Sequence, residues 1–133
     1  MALLAGVRVG RVAVSIGAVP AVFPVNFGVV DGTIVFRTGT GTKLDAATRN
    51  AVVAFEVDDL DPLYHEGWSV LVVGVADELT DRALLQRAEA LPLSPWAPGR
   101  RDHFVRLQPE FVSGRRIFQG APAANGTTGG GRA

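Results

Sequence analysis

Asp31-Gly32 stands between two alternating runs, and no other stretch constrains the fold as much. Before it, Phe23, Val25, Phe27 and Val29 share one face of an extended segment, Val22 to Val30. Pro24, Asn26 and Gly28 share the other face. Period-two alternation is the mark of a half-buried strand. Asp-Gly between two such runs predicts a two-residue hairpin of type I′. Thr33 to Thr38 is then the antiparallel partner. Pro24 has no N–H for a ladder, so an edge or a local break in pairing is expected there.

The rest of the chain repeats this theme. Val7 to Ile16 alternates with a slip of parity at Gly10, which predicts a bulge or tight bend. Gly17 to Val19 reads as a turn. Ala51 to Asp58 is a strand with Val53, Phe55 and Val57 on one face. Asp58 to Pro62 reads as an acidic turn; a calcium loop is conceivable, but the EF-hand spacing and its final Glu are absent. Trp68 to Leu79 is the longest strand. Trp68, Val70 and Val72 lie on one face and Leu71, Val73 and Val75 on the other, so both faces are apolar. The chain has little helix to cover the second face, which leads us to expect a homodimer. Thr80-Asp81 caps a helix carrying Leu84, Leu85, Ala88 and Leu91, ended by Pro92. Pro95 to Gly99, with Trp96, forms a rigid loop. Phe104 to Gln108 is a further strand, Pro109-Glu110 turns it, and Phe111 to Phe118 is the last. We expect one mainly β domain over residues 1–119, an antiparallel barrel of six to seven strands with two short helices. Residues 120–133, rich in Gly, Ala and Thr, form a flexible tail. Met1 to Gly6 reads as the end of a short helix.

The loop after the first hairpin carries the most chemistry. Phe36-Arg37-Thr38-Gly39-Thr40-Gly41-Thr42-Lys43-Leu44 runs from a strand end into the first turn of a helix of about Lys43 to Arg49. Thr42 is a good N-cap, with Asp45 at capping-box spacing. Lys43 is a cation at the helix end where acids are usual. Arg37, Lys43, several hydroxyls and backbone N–H groups suit an anion, phosphate best. Solvated loop charges account for Arg37 and Lys43 equally well. It is not a P-loop, because Lys43 follows Thr42 and precedes Leu44.

Composition narrows the classes. Net charge is zero over 133 residues and the basic positions are scattered, so neither a nucleic-acid footprint nor a polybasic membrane anchor is expected. The absence of cysteine excludes disulfides and thiolate metal sites and fits a cytoplasmic protein. No apolar run reaches spanning length. His65 and His103 are the only histidines, which is thin support for a metal, and surface or packing roles are expected for both. Trp96 and Arg100-Arg101 could rim a substrate pocket or simply anchor a loop.

Five motifs in order resemble one family: Gly10-Arg11-Val12-Ala13-Val14, Pro24-Val25-Asn26-Phe27, Phe36-Arg37-Thr38 with Gly41-Thr42-Lys43-Leu44, Gly67-Trp68-Ser69-Val70 with Gly74, and Gly114-Arg115-Arg116-Ile117. The chain from Gly6 to Phe118 resembles the pyridoxamine 5′-phosphate oxidase-like, flavin-binding split-barrel proteins, most of all the small actinobacterial type. The resemblance implies a Greek-key split β-barrel and a homodimer with FMN in an interface groove. Arg37, Thr38, Thr42 and Lys43 would hold the phosphate. Pro24, Val25, Asn26 and Phe27 would run along the isoalloxazine, and Trp68 and Ser69 would reach the ring or ribityl chain. It implies an FMN-dependent oxidoreductase acting on a small molecule. A dissociable deazaflavin, or a non-catalytic flavin- or haem-binding role, are the alternatives. The oxidase proper carries an Arg-x-His element near its C-terminus for the vitamin B6 substrate. Here Gly114-Arg115-Arg116-Ile117 stands instead, so the resemblance does not extend to that activity.

Overall fold

The computed structural model describes residues 9–91 and 102–117. Six strands, β1 (Val9–Ile16), β2 (Val19–Val30), β3 (Thr33–Gly39), β4 (Ala51–Asp61), β5 (Glu66–Glu78) and β6 (Asp102–Ile117), pair antiparallel throughout. Helix α1 (Lys43–Ala47) follows β3, and α2 (Arg82–Glu89) follows β5. The order β1-β2-β3-β6-β5-β4 closes on itself through three rungs between β1 and β4: Arg11↔Glu56, Val12↔Phe55 and Ala13↔Ala54. This is the split barrel with two helices. The leading residues, the Pro92, Trp96 and Arg100-Arg101 segment, Phe118 and the tail lie outside the described residues.

The hairpin turn is as read. Asp31 and Gly32 both have positive φ, 52° and 72°, as type I′ requires. Alternate residues of every strand enter one core, including Val12, Phe27, Phe36, Phe55, Val72 and Leu107. Phe27 and Phe55 meet edge to face with centroids 4.9 Å apart, a favoured aromatic geometry. Pro24 pairs only with Arg11, because β2 joins β3 from Phe27 onward. It sits where a missing N–H costs no ladder bond on the β3 side.

Three readings are corrected. The β1–β2 register runs unbroken from Val9↔Asn26 to Ile16↔Val19, so Gly10 is not a bulge. A Cβ there would lie 2.3 Å from Cζ of Phe55; the glycine makes room for that ring. Pro109-Glu110 does not turn the chain. β6 is continuous, and its register against β5 shifts between Val73 and Gly74, with Gly74 opposite Pro109 and Val73 opposite Phe111. Glu110 is therefore the extra residue of a bulge. Asp58 to Asp61 is not a turn either: β4 keeps its rungs with β5 as far as Asp61↔Glu66. The turn comes after it, where Asp61 accepts from the N–H groups of Leu63 and Tyr64.

Outside the barrel, α2 covers one flank. Leu84, Leu85, Leu91 and Phe104 pack on Val30, Val35, Leu79 and Ala88. Asp81 caps the helix through the N–H of Leu84, and Arg87 pairs with Asp31 at 2.8 Å. The other flank is different. Val22↔Ala13↔Ala54↔Val73↔Phe111 is one outward row across five strands. Val22 is 61% exposed, Phe111 55%, and neighbouring Val52 68%. Such a contiguous apolar stripe marks an interaction surface. Among the described residues no helix is long and apolar enough to cross a membrane.

Gly74 gives a direct check on the bulge. A Cβ there would lie 2.0 Å from the carbonyl oxygen of Gln108, a backbone atom that cannot swing away. Gly74→Ala is expected to cost about 2 kcal/mol in denaturant unfolding. A loss below about 0.5 kcal/mol would mean that the two backbones are not held this close.

Candidate functional site

The β3–α1 loop is built around a buried acid. Thr42 caps α1 as expected, accepting from the N–H of Asp45 at 3.1 Å and donating to the Gly39 carbonyl at 2.8 Å. The reciprocal half of the capping box is missing. The Asp45 carboxylate instead accepts from the Gly41 N–H at 3.0 Å, where Gly41 has φ 85°, from Thr38 Oγ1 at 3.4 Å and from Arg49 at 3.3 Å. It also meets Nε2 of His103, which β6 delivers opposite Thr38. α1 itself ends at Ala47, short of Arg49, where Thr48 turns its hydroxyl onto the Leu44 carbonyl at 2.7 Å.

The loop therefore has two layers. Thr38 and Asp45 are buried, and His103 keeps 20% side-chain exposure. Thr40, Gly41 and Lys43 are exposed at the rim. Arg37 and Thr38 lie on opposite faces of β3: Thr38 points into the barrel end, while Arg37 lies outside over the Phe104 ring, 5.5 Å from its centroid. The hydroxyls of Thr38 and Thr42 are thus spent within the loop, and Arg37 and Lys43 supply its outer positive charge. Burial pushes the Asp45 carboxyl up. The Gly41 N–H, His103 and Arg49 outweigh it and hold the group below its ordinary value.

The remaining candidates divide. Val25 and Phe27 are core residues, so only their backbone, with Pro24 and Asn26, faces outward. Asn26 pairs with Val9, and Phe27 with Phe36, so this segment adjoins Arg37. Trp68 and Ser69 stand elsewhere, opposite Arg116 and Arg115 on β6 and Asp59 and Asp58 on β4. Round the barrel by way of β2, β1 and β4, three strands intervene between Arg37 and Ser69, about 19 Å along the sheet at ordinary strand spacing; the other way only β6 lies between, with Arg37 opposite its Phe104 and Ser69 opposite its Arg115. Ser69 lines two hollows, of about 300 and 210 Å³, shared with Arg115 and Gly114, and Trp68 lines the larger.

Glu56 lines the smaller hollow. Burial and the neighbouring Asp58 push its carboxyl up from 4.5 to about 7, against the pull of Arg11, 3.2 Å away. Sequence reading passed over Glu56, Asp45 and His103 as site residues. His103 had a signal: it shares strand parity with the core residues Val105 and Leu107, and an inward imidazole needs a polar partner.

Two pH effects follow with opposite sign. Asp45 has a lowered folded-state pKa, so its stabilisation is present above the ordinary value of 3.8 and is lost as pH falls through the folded value. Asp45→Asn is expected to cost about 2 kcal/mol at neutral pH; the gap from wild type should close below about pH 4 in denaturation series. Glu56 has a raised one, so the native chain holds the extra proton between 4.5 and about 7 and stability falls as pH rises through that window. Glu56→Gln should raise the melting temperature at pH 8 and do less at pH 5. An equal effect at both would remove the shifted carboxyl from the account.

Comparison with known proteins agrees with this architecture. The family described as pyridoxamine 5′-phosphate oxidase matches residues 1–116. The Mycobacterium tuberculosis protein Rv0080 is 44% identical over 122 residues, covering 88% of this chain and 80% of its own. The solved structure of the FAD binding protein from Mycobacterium smegmatis is 41% identical, with a TM-score of 0.78 over 90% of this chain and 93% of that one. An FAD-binding protein from Mesorhizobium loti is 25% identical, with a TM-score of 0.66 over 89% and 90%. The chain belongs to the pyridoxamine 5′-phosphate oxidase family.

Proposed function

We propose that this chain binds a flavin nucleotide, FMN in the first instance, as a homodimer, and acts as a cytoplasmic oxidoreductase on a small molecule. The observation that carries the reading is the outward row from the Arg37 end, past Asn26, to Ser69. Arg37 stands at one end, with Lys43 exposed on the helix that follows, and the hollow lined by Ser69, Glu56 and Arg115 lies at the other. The surface is convex, because the strands close into a barrel. A planar ring laid on it would leave its outer face in water; the apolar row through Val73 and Phe111 follows on the same outer face, beyond the row of Pro24, Arg11, Glu56 and Leu71. A second copy seated on that row would cover both.

In this arrangement Arg37 and Lys43 hold the phosphate by charge. Thr38 and Thr42 fix the loop that presents them rather than touching the ligand with their hydroxyls. Asn26 and the backbone from Pro24 to Phe27 orient the ring edge, with Trp68 and Ser69 supplied from the β5 hollow. The flavin supplies the redox chemistry; the protein supplies position, hydrogen bonds and exclusion of water. FAD is the second reading, favoured by the FAD-binding relatives from Mycobacterium smegmatis and Mesorhizobium loti. A deazaflavin is tested as a competitor at the same site.

Titration with FMN, FAD and a deazaflavin, followed by flavin fluorescence, tests the reading. Arg37→Ala is expected to weaken nucleotide binding about tenfold or more, in line with loss of a charge-assisted contact, with little change in melting temperature. Phe111→Glu should leave a folded monomer by sedimentation that binds flavin poorly. A protein that stays colourless with every flavin, or a Phe111→Glu dimer of full affinity, overturns it.

A further inference from the structure

One guanidinium serves two carboxylates on the outer face of the barrel. Nη1 of Arg11 lies 3.2 Å from Glu56 Oε1 and 3.6 Å from Asp58 Oδ2. The two acids are two residues apart on β4, so they share a face, and Arg11 stands opposite Glu56 on β1. Like charges this close disfavour each other's ionisation, and one cation cannot offset two anions. The cluster is partly open, with side-chain exposures of 53% for Arg11, 36% for Glu56 and 28% for Asp58, so water supports the excess negative charge. Among the described residues, Asp58 faces Glu56 from β4 and Arg11 from β1; Leu71 on β5, and Pro24 beyond Arg11 on β2, are uncharged. Arg115 lines the same hollow from β6, with Ser69 and Ser113. Burial and Asp58 together outweigh the pull of Arg11 and push the Glu56 carboxyl up to about 7.

The cluster stands one row from the apolar stripe. Pro24, Arg11, Glu56, Leu71 and Ser113 form the outward row next to Val22, Ala13, Ala54, Val73 and Phe111. One such row across five strands is about 24 Å long and about 7 Å wide at ordinary strand spacing, roughly 170 Å². A stable pair of subunits needs about 800 Å² from each, so a second copy centred on the stripe must cover the rows on both sides. On one side it meets more apolar surface, where Val52 pairs with Val75. On the other it meets Arg11 and Glu56, with Asp58 just beyond, and takes away their water. A twofold contact does this on both copies. We propose that two copies close over this cluster only when the Glu56–Asp58 pair of each holds a proton, so that pH governs assembly of the dimer. The inference rests on the homodimer reading and states what controls it. An unmatched charge in a dry interface is destabilising. A proton on the pair leaves one negative charge, which Arg11 matches.

Covering the cluster raises the Glu56 carboxyl further, so above about 7 the dimer binds more protons than two separate chains. Association therefore strengthens as pH falls and weakens as pH rises through that value. Sedimentation at pH 6.5, 7.5 and 8.5, at one ionic strength and without added ligand, reads the dissociation constant. One proton on each copy lets it rise by up to about a hundredfold per pH unit. Wild type is expected to weaken about tenfold or more between pH 6.5 and 8.5. Glu56→Gln keeps the shape of the protonated carboxyl and should associate at pH 8.5 as tightly as wild type does at pH 6.5, with no step between. Asp58→Asn leaves Arg11 to a single carboxylate and should shrink the step. A wild-type constant that does not change over this range, tighter association at high pH, or a wild-type step in either variant overturns the inference while the dimer stands. Monomers at every pH remove the homodimer reading, and the inference with it.

Discussion

A closed sheet has one interior, and that geometric fact governs this molecule. Three rungs between β1 and β4 seal the barrel, after which every strand must put one face in and one face out. The inner faces are consumed by the core around Phe27, Phe36 and Phe55. The outer faces need separate solutions. Over Val30, Val35 and Phe104 the solution is α2, tied down by the Arg87–Asp31 pair. A Cβ on Gly28 would lie 2.6 Å from a methyl of Leu91, so the strand gives up a side chain to let that covering segment approach. Across Val22, Ala13, Ala54, Val73 and Phe111 this chain offers no cover among its described residues. The proposed second copy answers a requirement that closure itself creates, since apolar area left in water forgoes about 25 cal/mol per Å².

Local chemistry was legible in the sequence wherever one segment decided the outcome. The Asp31-Gly32 turn, the Thr42 and Asp81 caps and the alternation of Val53, Phe55 and Val57 all depend on neighbours a few residues away. Misreadings came where a distant partner decided. Gly10 broke a pattern, but only Phe55, on another strand, explains the break. Pro109 looked like a turn because a proline cannot serve a central ladder; the bulge at Glu110 lets β6 run on. The acids from Asp58 to Asp61 looked like a solvated turn, yet hydrogen bonding to β5 outweighs their weak strand preference. A Cβ on Gly67 would lie 2.3 Å from the Asp59 carbonyl oxygen, which shows how closely that polar ladder is drawn together.

The site was legible in the same uneven way. Arg37 and Lys43 announced positive charge at the loop, and the structure puts them on its outer side. What the sequence hid is the anion the chain already supplies. Asp45 and His103 are far apart in the chain, and no spacing rule links a helix's first turn to a strand sixty residues on. Their meeting depends on the β3–β6 register that sets Thr38 against His103.

The internal carboxylate changes how selectivity must arise. A glycine-rich loop with free N–H groups would bind an anion through its backbone. Here the Gly41 N–H and the Thr38 hydroxyl are committed to Asp45, so the loop is rigid before any ligand arrives, and its remaining attraction lies in side chains at the rim. That attraction would be weak if the buried charge stood alone, because a carboxylate beneath the loop repels an incoming phosphate. Arg49 and His103 offset it, each held against one oxygen of the carboxylate. A loop built this way is preorganised in shape, and the positive charge it turns outward comes from Arg37 and Lys43.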